Sequence, residues 1–319
     1  MKILVTGGSG FIGSHVVDAL LKDGHQVTIL DYQEGNSETR TIQGDIRDQA
    51  FLERSFKSYG QDAVFHIAGM ANARAAIESP VDAVDINIRG TACVLEAARK
   101  SDVKRVIMAS TVWFYNAVDR SSHPEQAAAD GLRYLDESEP ILPQGGGHIY
   151  TTSKIACELL CHDFQKLYGQ DFTVLRYGIP YGPRMWSGLA LRAFLDNAFG
   201  GTKISIFGDG SAVRRFLYVE DIARAHVAAL QDVACNQIYN LEGARDVTIK
   251  ELADTVATFV DNTEIEYIIE PSRRGELTMD GIGISNQKAK RDLGWSPDTD
   301  LQEGVRRTVE WYKENVLGK

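Results

Sequence analysis

The sequence predicts an α/β fold with a doubly wound parallel sheet, and three features support this prediction. Short apolar runs that suit strands buried on both faces recur along the chain, from Ile3-Leu4-Val5 to a segment that ends at Leu241. Segments with apolar residues at helical spacing lie between these runs, and this alternation favours parallel strands joined by right-handed crossovers. A glycine-rich turn follows the first strand, and such a turn at the start of a helix is typical of phosphate-binding folds.

The glycine-rich turn has the spacing GxxGxxG, formed by Gly7, Gly10 and Gly13. Gly7 permits a tight strand-to-helix turn, Gly10 lets the backbone approach a pyrophosphate, and Gly13 lets the helix pack close to the strand. The helix that begins at Phe11 and Ile12 directs its free N–H groups and the positive end of its dipole toward the phosphates. These five residues are therefore candidates for binding a dinucleotide, although a glycine motif by itself also fits an ordinary turn.

Asp31 ends the second predicted strand, about 20 residues after the glycines, where a carboxylate can bind the ribose hydroxyls of adenosine. The same carboxylate would repel a 2′-phosphate, so the sequence predicts NAD rather than NADP as the cofactor. The neighbouring Tyr32 and Gln33 carry no positive charge. Arg40 would favour NADP only if a folded-back loop brought it near Asp31.

Two further stretches follow predicted strands and are expected to contact the cofactor. Asp45 and Ile46 come after a short third strand, and we expect them to bracket the adenine; the alternative is a turn with a helix N-cap at Asp48. Ala68 follows the fourth strand within a run of small residues that would let the backbone pass close to the cofactor. Both stretches would lie at the carboxyl edge of the sheet, where ligands bind in open α/β folds.

Tyr150 and Lys154 lie four residues apart near the start of a predicted helix, so their side chains share a face. A tyrosine with its reference pKa of about 10 is a poor base, but the ammonium group, a cationic nicotinamide and the helix N-terminus all favour phenolate. Lys154 can also bind the nicotinamide ribose, which makes both residues cofactor-binding candidates. Thr111 ends the fifth predicted strand and is expected to hydrogen-bond the reacting hydroxyl together with Tyr150. Ser110 is a further substrate-binding candidate, and capping of the strand end is the alternative for both hydroxyl residues.

The composition restricts the possible partners. The 319 residues include 44% hydrophobic and 24% charged residues and carry a net charge of −10, which argues against nucleic acid or an anionic membrane as the main partner. No apolar run is long enough to cross a bilayer, and the first strand begins at residue 2, which predicts a cytoplasmic protein without a signal peptide. The four cysteines form no CxxC pair and the seven histidines show no metal-ligand spacing, so we expect neither disulfides nor a metal.

The segment from Val112 to His148 shows little periodicity and contains the glycine run Gly145 to Gly147. A structureless loop of this length is uncommon in a compact domain and is often functional. His148 and Trp186 are possible lining residues of a substrate pocket.

Several motifs, spread over essentially the whole chain, resemble the extended short-chain dehydrogenase/reductase superfamily and, within it, the nucleotide-sugar epimerase/dehydratase family. The matching segments are Thr6 to Gly13, Gly44 to Asp48, His66 to Gly69, Asn87 to Thr91, Ser110-Thr111, Tyr150 with Lys154, Leu175 to Pro183 and Gly208 to Val219.

The resemblance implies a Rossmann domain that binds NAD tightly and recycles it in each turnover, and a smaller C-terminal α/β lobe that grips a nucleotide-diphospho-sugar. The expected boundaries are 1–178 plus about 214–241 for the Rossmann domain and 179–213 plus 242–319 for the lobe. Many members of the family are homodimers joined by two helices per subunit, which here would be about 79–100 and 150–168.

The resemblance also assigns substrate-binding candidates in the second half of the chain. Arg214 and Arg274 match family arginines that bind the substrate diphosphate. Ile179 stands where the family often has an asparagine that contacts the substrate, and Arg215 replaces a common aspartate. These two departures suggest a specialised sugar.

Val112 and Trp113 follow Thr111 and bear on the type of reaction. In the family's 4,6-dehydratases an Asp-Glu pair occupies these positions, and the related uronate decarboxylases carry a glutamate at the position of Trp113. Neither valine nor tryptophan can move a proton, so both reactions are disfavoured. The sequence therefore predicts 4-epimerisation of a UDP-hexose or UDP-uronate, by oxidation at C4, rotation of the keto-sugar and return of the hydride to the other face.

Other functions stay open at this point. A nucleotide-sugar ketoreductase or a dehydratase of the same family would use the same fold, and Asp31 disfavours a reductase that needs NADPH. A non-catalytic NAD-binding regulator is a third class, since a fold alone does not determine function. Tyr150, Lys154 and Thr111 are all present, however, and a regulator that had lost its base would not need them.

Overall fold

The computed structural model describes residues 1–33, 39–118, 132–142, 146–269 and 282–318, in which strands and helices alternate. A π-helical turn, Asp85–Arg89, and a 3₁₀ helix, Val112–Ala117, accompany the regular elements of the first half. Those elements are β1 (Lys2–Thr6), α1 (Phe11–Lys22), β2 (Gln26–Asp31), β3 (Thr41–Gln43), α2 (Gln49–Tyr59), β4 (Ala63–His66), α3 (Ala73–Glu78), α4 (Pro80–Val84), α5 (Gly90–Lys100), β5 (Arg105–Thr111) and β6 (Arg133–Leu135).

The second half continues the alternation with shorter strands. Its elements are α6 (Ile149–Tyr168), β7 (Asp171–Tyr177), β8 (Ile179–Tyr181), α7 (Ala190–Phe199), β9 (Ile204–Phe207), β10 (Val213–Arg214), β11 (Phe216–Tyr218), α8 (Val219–Ala228), β12 (Gln237–Leu241), β13 (Val247–Thr248), α9 (Ile249–Ala257), β14 (Ile265–Ile268), β15 (Ile282–Ile284), α10 (Gln287–Leu293) and α11 (Leu301–Asn315).

A parallel sheet organises the molecule. Within the described residues it has seven strands in the order β12-β7-β5-β4-β1-β2-β3. β1 lies between β2 and β4, with Lys2 opposite Gln26 of β2 and Ile3 opposite Ala63 of β4. The strand order therefore reverses between β1 and β4, as in a doubly wound sheet. The predicted Rossmann-type α/β fold is confirmed.

Both faces of the sheet are covered by apolar side chains, which explains why its strands read as continuous apolar runs. Ile3 and Val5 point into a cluster shared with α1, α8 and α10. Leu4 points to the other face, into a cluster shared with α2, α5 and α6.

The smaller C-terminal α/β lobe has its own core. Apolar side chains of α7, α9 and α11 form this core together with β9, and Leu195, Ile204 and Leu252 are fully buried in it. Phe11, at the start of α1, packs against the same cluster. The lobe core therefore reaches the glycine-rich turn at the edge of the central sheet.

The segment from Val112 to His148 is more regular than the sequence indicates. It begins with the 3₁₀ helix and includes β6, which pairs in parallel with β15, so that Arg133 lies opposite Ile282. The hydroxyl of Tyr115 donates to the carbonyl oxygen of Asp136 at 2.9 Å. The expectation of a structureless loop is wrong for its described part, because pairing with a distant strand orders residues that have no periodicity of their own.

Three histidines, His15, His66 and His226, are buried in the fold. Nε2 of His226 accepts from the hydroxyl of Tyr177 at 2.7 Å, because its Nδ1 donates to the carbonyl oxygen of Ile222. Burial lowers the pKa of His226 and of His15 to about 4 and that of His66 to about 3. All three rings are therefore neutral at pH 7.

We expect the free energy of unfolding to fall as the pH is lowered from about 6.5 toward about 4. In this window the unfolded chain binds protons at these histidines and the folded protein does not, which costs about 1.4 kcal/mol per pH unit and histidine. Urea unfolding at several pH values should give a pH slope smaller by about that amount in His226→Gln. His162→Gln, which changes an exposed histidine of α6, should leave the slope as in the wild type. An unaltered slope in H226Q would contradict this assignment.

Candidate active site

The carboxyl ends of β1, β2, β4 and β5 meet at one edge of the central sheet. Thr6, Asp31, His66 and Thr111 end these four strands. The strand order reverses here between β1 and β4, and ligands of open α/β sheets bind in the crevice at such a reversal. This edge is the candidate active site.

The glycine-rich turn lies against the end of β4 with no room for side chains. Gly7 has φ of +74°, which favours glycine, and a Cβ there would lie 2.6 Å from the backbone nitrogen of Ala68. A Cβ at Gly13 would overlap the carbonyl oxygen of Gly7. Gly10 is the N-cap of α1 and has no side chain to cap it, so the N–H groups of the first turn carry no side-chain cap.

Asp31 is held beside this turn by two backbone groups. Its carboxylate accepts hydrogen bonds from the N–H groups of Ser9 at 3.0 Å and Gln33 at 3.1 Å. Arg40 stacks on the ring of Tyr59, with its guanidinium carbon 4.1 Å from the ring centre. That pair lines a cavity with the first residues of β1 and β2, at the opposite edge of the sheet. Arg40 therefore does not neutralise Asp31.

Asp45 and Ile46 lie next to Asp31, since the N–H of Gly44 donates to the carbonyl oxygen of Asp31 at 2.9 Å. The carboxylate of Asp45 forms an ion pair with Arg47 at 2.6 Å, and this hydrogen-bonded partner lowers the pKa of Asp45. The side chain of Ile46 is buried. Contact of both residues with adenine stays a prediction.

The alternative reading of this stretch, a helix N-cap, holds for Asp48. Its side chain accepts from the N–H of Phe51 at 2.9 Å at the start of α2. A turn, an adenine contact and a helix cap are thus compatible within one short stretch.

Tyr150, Thr111 and Lys154 come together at the end of β5. The side chain of Thr111 is a neighbour of the Tyr150 hydroxyl and favours its ionised form, and Thr111 Oγ1 accepts from the N–H of Trp113 at 3.2 Å. The buried Nζ of Lys154 donates to the carbonyl oxygen of Ala109 at 3.0 Å. The predicted catalytic residues therefore form one cluster.

Burial dominates the acid–base properties of this cluster. Desolvation raises the pKa of Tyr150 to about 12, and the neighbouring Thr111 side chain offsets only part of the shift. Desolvation also lowers the pKa of Lys154. In the chain by itself desolvation therefore outweighs the groups that favour phenolate, and the combined effect of Lys154, the helix N-terminus and a cationic nicotinamide stays a prediction. Tyr150 can become a base at neutral pH only when a further positive charge approaches it.

Ser110 faces an ion pair beneath the cluster. Its hydroxyl donates to Oε1 of Glu158 at 2.5 Å, and Glu158 pairs with Nη2 of Arg176 at 2.7 Å. All three side chains are buried. This arrangement favours a structural role for Ser110 over the predicted contact with substrate.

Asn87 is a positioning residue that the sequence analysis did not assign. It lies in the π-helical turn between α4 and α5, where its Oδ1 accepts from the N–H of Met70 at 2.7 Å. Its Nδ2 donates to Ser153 Oγ at 2.9 Å. Asn87 thus ties the loop after β4 to the first turns of α6. The signals in the sequence were its position in the family-like segment Asn87 to Thr91 and its low helix propensity within a predicted helix.

The lobe brings two predicted substrate contacts to one place. Ile179, the first residue of β8, lies opposite Phe216 of β11, two residues beyond Arg214. Ile179 and Arg214 are both half-buried. Nε of Arg215 donates to Asp246 at 2.6 Å. Arg274 lies outside the described residues.

A dinucleotide fits the edge of the sheet that these residues form. Gly7 and Gly13 let the turn pack closely on the protein backbone, the Cβ position of Gly10 has only the carbonyl oxygen of Gly7 within 4 Å, and the uncapped first turn of α1 at Phe11 and Ile12 offers N–H groups to phosphate. In the described part of the chain, no group of three or more His, Cys, Asp or Glu residues could hold a metal ion. Over the same ranges, no helix is long and apolar enough to span a bilayer.

Comparisons with known proteins agree with this geometry. A model of the NAD-dependent epimerase/dehydratase family matches residues 3–241. A putative UDP-glucose 4-epimerase of Methanocaldococcus jannaschii is 34% identical over 98% of this chain and 99% of its own. A UDP-glucuronate 4-epimerase of Thermodesulfobacterium geofontis is 31% identical over 98% of this chain and 96% of its own. A dTDP-glucose 4,6-dehydratase of Neisseria gonorrhoeae is 30% identical over the same shares.

Among solved structures, the UDP-glucose 4-epimerase of Thermus thermophilus in complex with NAD superimposes with a TM-score of 0.84. The two chains are 31% identical, and the match covers 99% of this chain and 100% of that one.

Proposed function

The chain belongs to the NAD-dependent epimerase/dehydratase family, and we propose that it is a nucleotide-sugar 4-epimerase acting on a UDP-hexose or a UDP-uronate. The observation that carries this proposal is the environment of Tyr150. The side chain of Thr111 is a neighbour of its hydroxyl, and the Trp113 ring packs edge-on against its ring, with the two ring centres 6.1 Å apart.

NAD would lie along the carboxyl edge of the central sheet. The residues proposed to hold it are Gly7, Gly10, Phe11, Ile12, Gly13, Asp31, Asp45, Ile46, Ala68, Tyr150 and Lys154. The fixed carboxylate of Asp31 supports binding of the adenosine ribose, because both of its backbone hydrogen bonds come from residues beside the turn. When bound, NAD supplies a hydride acceptor at the sugar and a positive charge that favours the tyrosine phenolate.

Tyr150 would act as the general base and then as the general acid. In the first half of the reaction its phenolate oxygen takes the proton of the C4 hydroxyl while C4 loses a hydride. In the second half it returns that proton to the C4 oxygen of the rotated keto-sugar. Thr111 would hydrogen-bond the same oxygen, and Lys154 would bind ribose and stabilise the phenolate. General acid–base groups of this kind contribute about 10²–10⁴-fold to a rate.

The residues after Thr111 favour epimerisation over elimination. A dehydratase needs a second acid or base to remove water, and Val112 and Trp113 stand where the family's dehydratases carry an Asp-Glu pair. Val112 is buried among apolar residues and Trp113 packs edge-on against Tyr150. Neither can transfer a proton. The dehydratase relative keeps elimination as the second candidate, and a ketoreductase or a non-catalytic NAD-binding regulator remain further alternatives.

The substrate would lie between two parts of the chain. We assign residues 1–178 and about 214–241 to the NAD-binding domain, and 179–213 with 242–319 to the lobe that grips the nucleotide-diphospho-sugar. Arg214 and Arg274 would bind the diphosphate, and Ile179 would line the sugar pocket.

The surface of α3, α4 and α6 supports a homodimer. Helices α3 and α4 pack against α6, and their outer faces expose Ile77, Val81 and Val84 together with Leu159 and Leu167 of α6. Exposed apolar side chains on helices that pack together favour an interaction site. We propose that a second copy of the chain covers this surface. We also propose that the protein is cytoplasmic.

The purified protein, mixed with a panel of UDP- and dTDP-sugars without added cofactor, should produce a stereoisomer of unchanged mass from one of them. Mass spectrometry and proton NMR would identify it. Tyr150→Phe should lower kcat by about 10²–10⁴-fold, because no other described side chain at the C4 oxygen is a base, while NAD content stays that of the wild type.

The matched control is Tyr267→Phe on the exposed strand β14, which should retain full activity. Loss of water or of carbon dioxide from the sugar, or undiminished turnover in Y150F, would contradict the proposed reaction.

Val81→Asp should convert the dimer into monomers, because Val81 is 78% exposed in one chain and a buried carboxylate would oppose association. Sedimentation velocity would measure the change. Val233→Asp replaces a half-exposed valine outside this surface and should leave the dimer intact. A wild-type monomer, or a V81D dimer of undiminished affinity, would exclude this interface.

A further inference from the structure

The chain enters helix α6 through Gly146, Gly147 and His148, a stretch to which the proposed reaction assigns no role. A Cβ at Gly146 would overlap the side chain of Thr151, and Gly147 has φ of +67°. Both positions therefore favour glycine. The two glycines let the chain approach α6 closely and deliver His148, which is buried, to the start of the helix.

His148 is the N-cap of α6. Its Nδ1 accepts a hydrogen bond from the N–H of Tyr150 at 3.1 Å. Ser, Thr, Asp and Asn are the common N-cap residues, and an imidazole is unusual there. It can accept this hydrogen bond only as the neutral tautomer with its proton on Nε2. The cap thus depends on the protonation state of the ring, unlike a serine or asparagine cap.

The same imidazole contacts the other residues of the catalytic cluster. Its ring centre lies 5.7 Å from that of Trp113 in an edge-on arrangement, and the Trp113 ring contacts that of Tyr150 in the same manner. The N–H of Trp113 donates to Thr111 Oγ1 at 3.2 Å, and the Thr111 side chain is a neighbour of the Tyr150 hydroxyl. These contacts form a closed circuit, meaning that each of the four residues His148, Trp113, Thr111 and Tyr150 contacts the next and the last contacts the first.

We propose that His148 is a positioning residue that holds Tyr150 against Thr111 through this circuit, and that only its neutral imidazole does so. The proposal rests on the function proposed above, because it concerns the tyrosine that acts as base there. His148 itself touches neither the reacting oxygen nor a cofactor in this account.

Protonation of His148 would open the circuit. A proton on Nδ1 would face the N–H of Tyr150, and the new positive charge would lie at the positive end of the α6 dipole. The described groups around the ring are the uncharged indole of Trp113 and the first turns of α6, whose titratable groups are Tyr150 and Lys154. A cationic lysine disfavours a second cation. Burial lowers the pKa of His148, so the ring is neutral at pH 7.

Three variants separate this role from a general effect on folding. His148→Ala removes the cap, His148→Asn keeps a cap that cannot titrate, and His162→Asn changes an exposed histidine of the same helix. At pH 8, with the UDP-sugar that the wild type converts, H148A should show kcat lower by roughly fivefold to tenfold, the factor that corresponds to one helix cap. Its KM should stay near that of the wild type. H148N should recover most of kcat, and H162N should match the wild type.

The pH profile gives a second readout. Tyr150 must lose a proton to act, so the acid side of the wild-type profile contains this ionisation and that of His148. Where His148 titrates, the slope of log kcat against pH should therefore be steeper in the wild type than in H148N, and the additional decrease of kcat should total about fivefold to tenfold.

Amide hydrogen exchange of the peptide 149–152 gives a third readout that needs no substrate. Exchange should be faster in H148A than in the wild type or H148N.

Unchanged kcat in H148A, or equal acid slopes in wild type and H148N, would overturn the proposal. A wild type that converts no nucleotide sugar would contradict the proposed function instead. In that case amide hydrogen exchange tests only whether His148 caps α6. Equal exchange rates in the wild type and all variants would exclude this cap.

Discussion

Two buried charges on one face of α6 fix this helix on the central sheet. Lys154 is bound to the carbonyl oxygen of Ala109, and Glu158, one turn further along, is bound to Arg176 and Ser110. Leaving either charge unpaired would cost several kcal/mol, so the helix can neither rotate nor slide without a large penalty. Tyr150 lies one turn before Lys154 and is thereby brought to Thr111. The geometry of the candidate site follows from how these charges are satisfied.

The acid–base state of the site follows from the same burial. Lys154, which anchors the helix, donates a hydrogen bond to the carbonyl oxygen of Ala109, and desolvation lowers its pKa. The tyrosine beside it is held neutral, with its pKa raised to about 12. A cationic ligand that enters the site changes this balance, because an opposite charge favours the phenolate. Under the proposed function, the base would therefore form together with the bound cofactor rather than in the free chain.

Much of this arrangement could be predicted from the sequence, because it depends on local patterns. The glycine spacing, the acid at the end of β2 and the Tyr150–Lys154 pair each require only neighbouring residues, and the structure brings them to one edge of the sheet. The features that were missed depend on distant parts of the chain. β6 and β15 have three residues each, which is too few to show the alternation typical of a strand. The hydrogen-bond partner of Ser110 is Glu158 of α6, which lies far along the chain. Desolvation of Tyr150 is likewise a property of the folded molecule.

The glycine run before α6 illustrates this limit in a different way. Its composition indicated a loop, whereas the described residues Gly146 and Gly147 lead directly to His148, the N-cap of α6. Asn87 is comparable, since its low helix propensity was visible and its two partners, Met70 and Ser153, were not. In both cases a residue that fits its local structure poorly is explained by contacts at the candidate site.

The most direct test of the central claim uses a nucleotide sugar that the protein converts, labelled with deuterium at C4. The account predicts that the product is the C4 epimer of unchanged mass and that the deuterium remains at C4, since the same hydride leaves and returns under the action of Tyr150. Proton and deuterium NMR would locate the label. Deuterium at C6 in a product that has lost water would contradict the account, because that transfer requires an acid that Val112 and Trp113 do not provide.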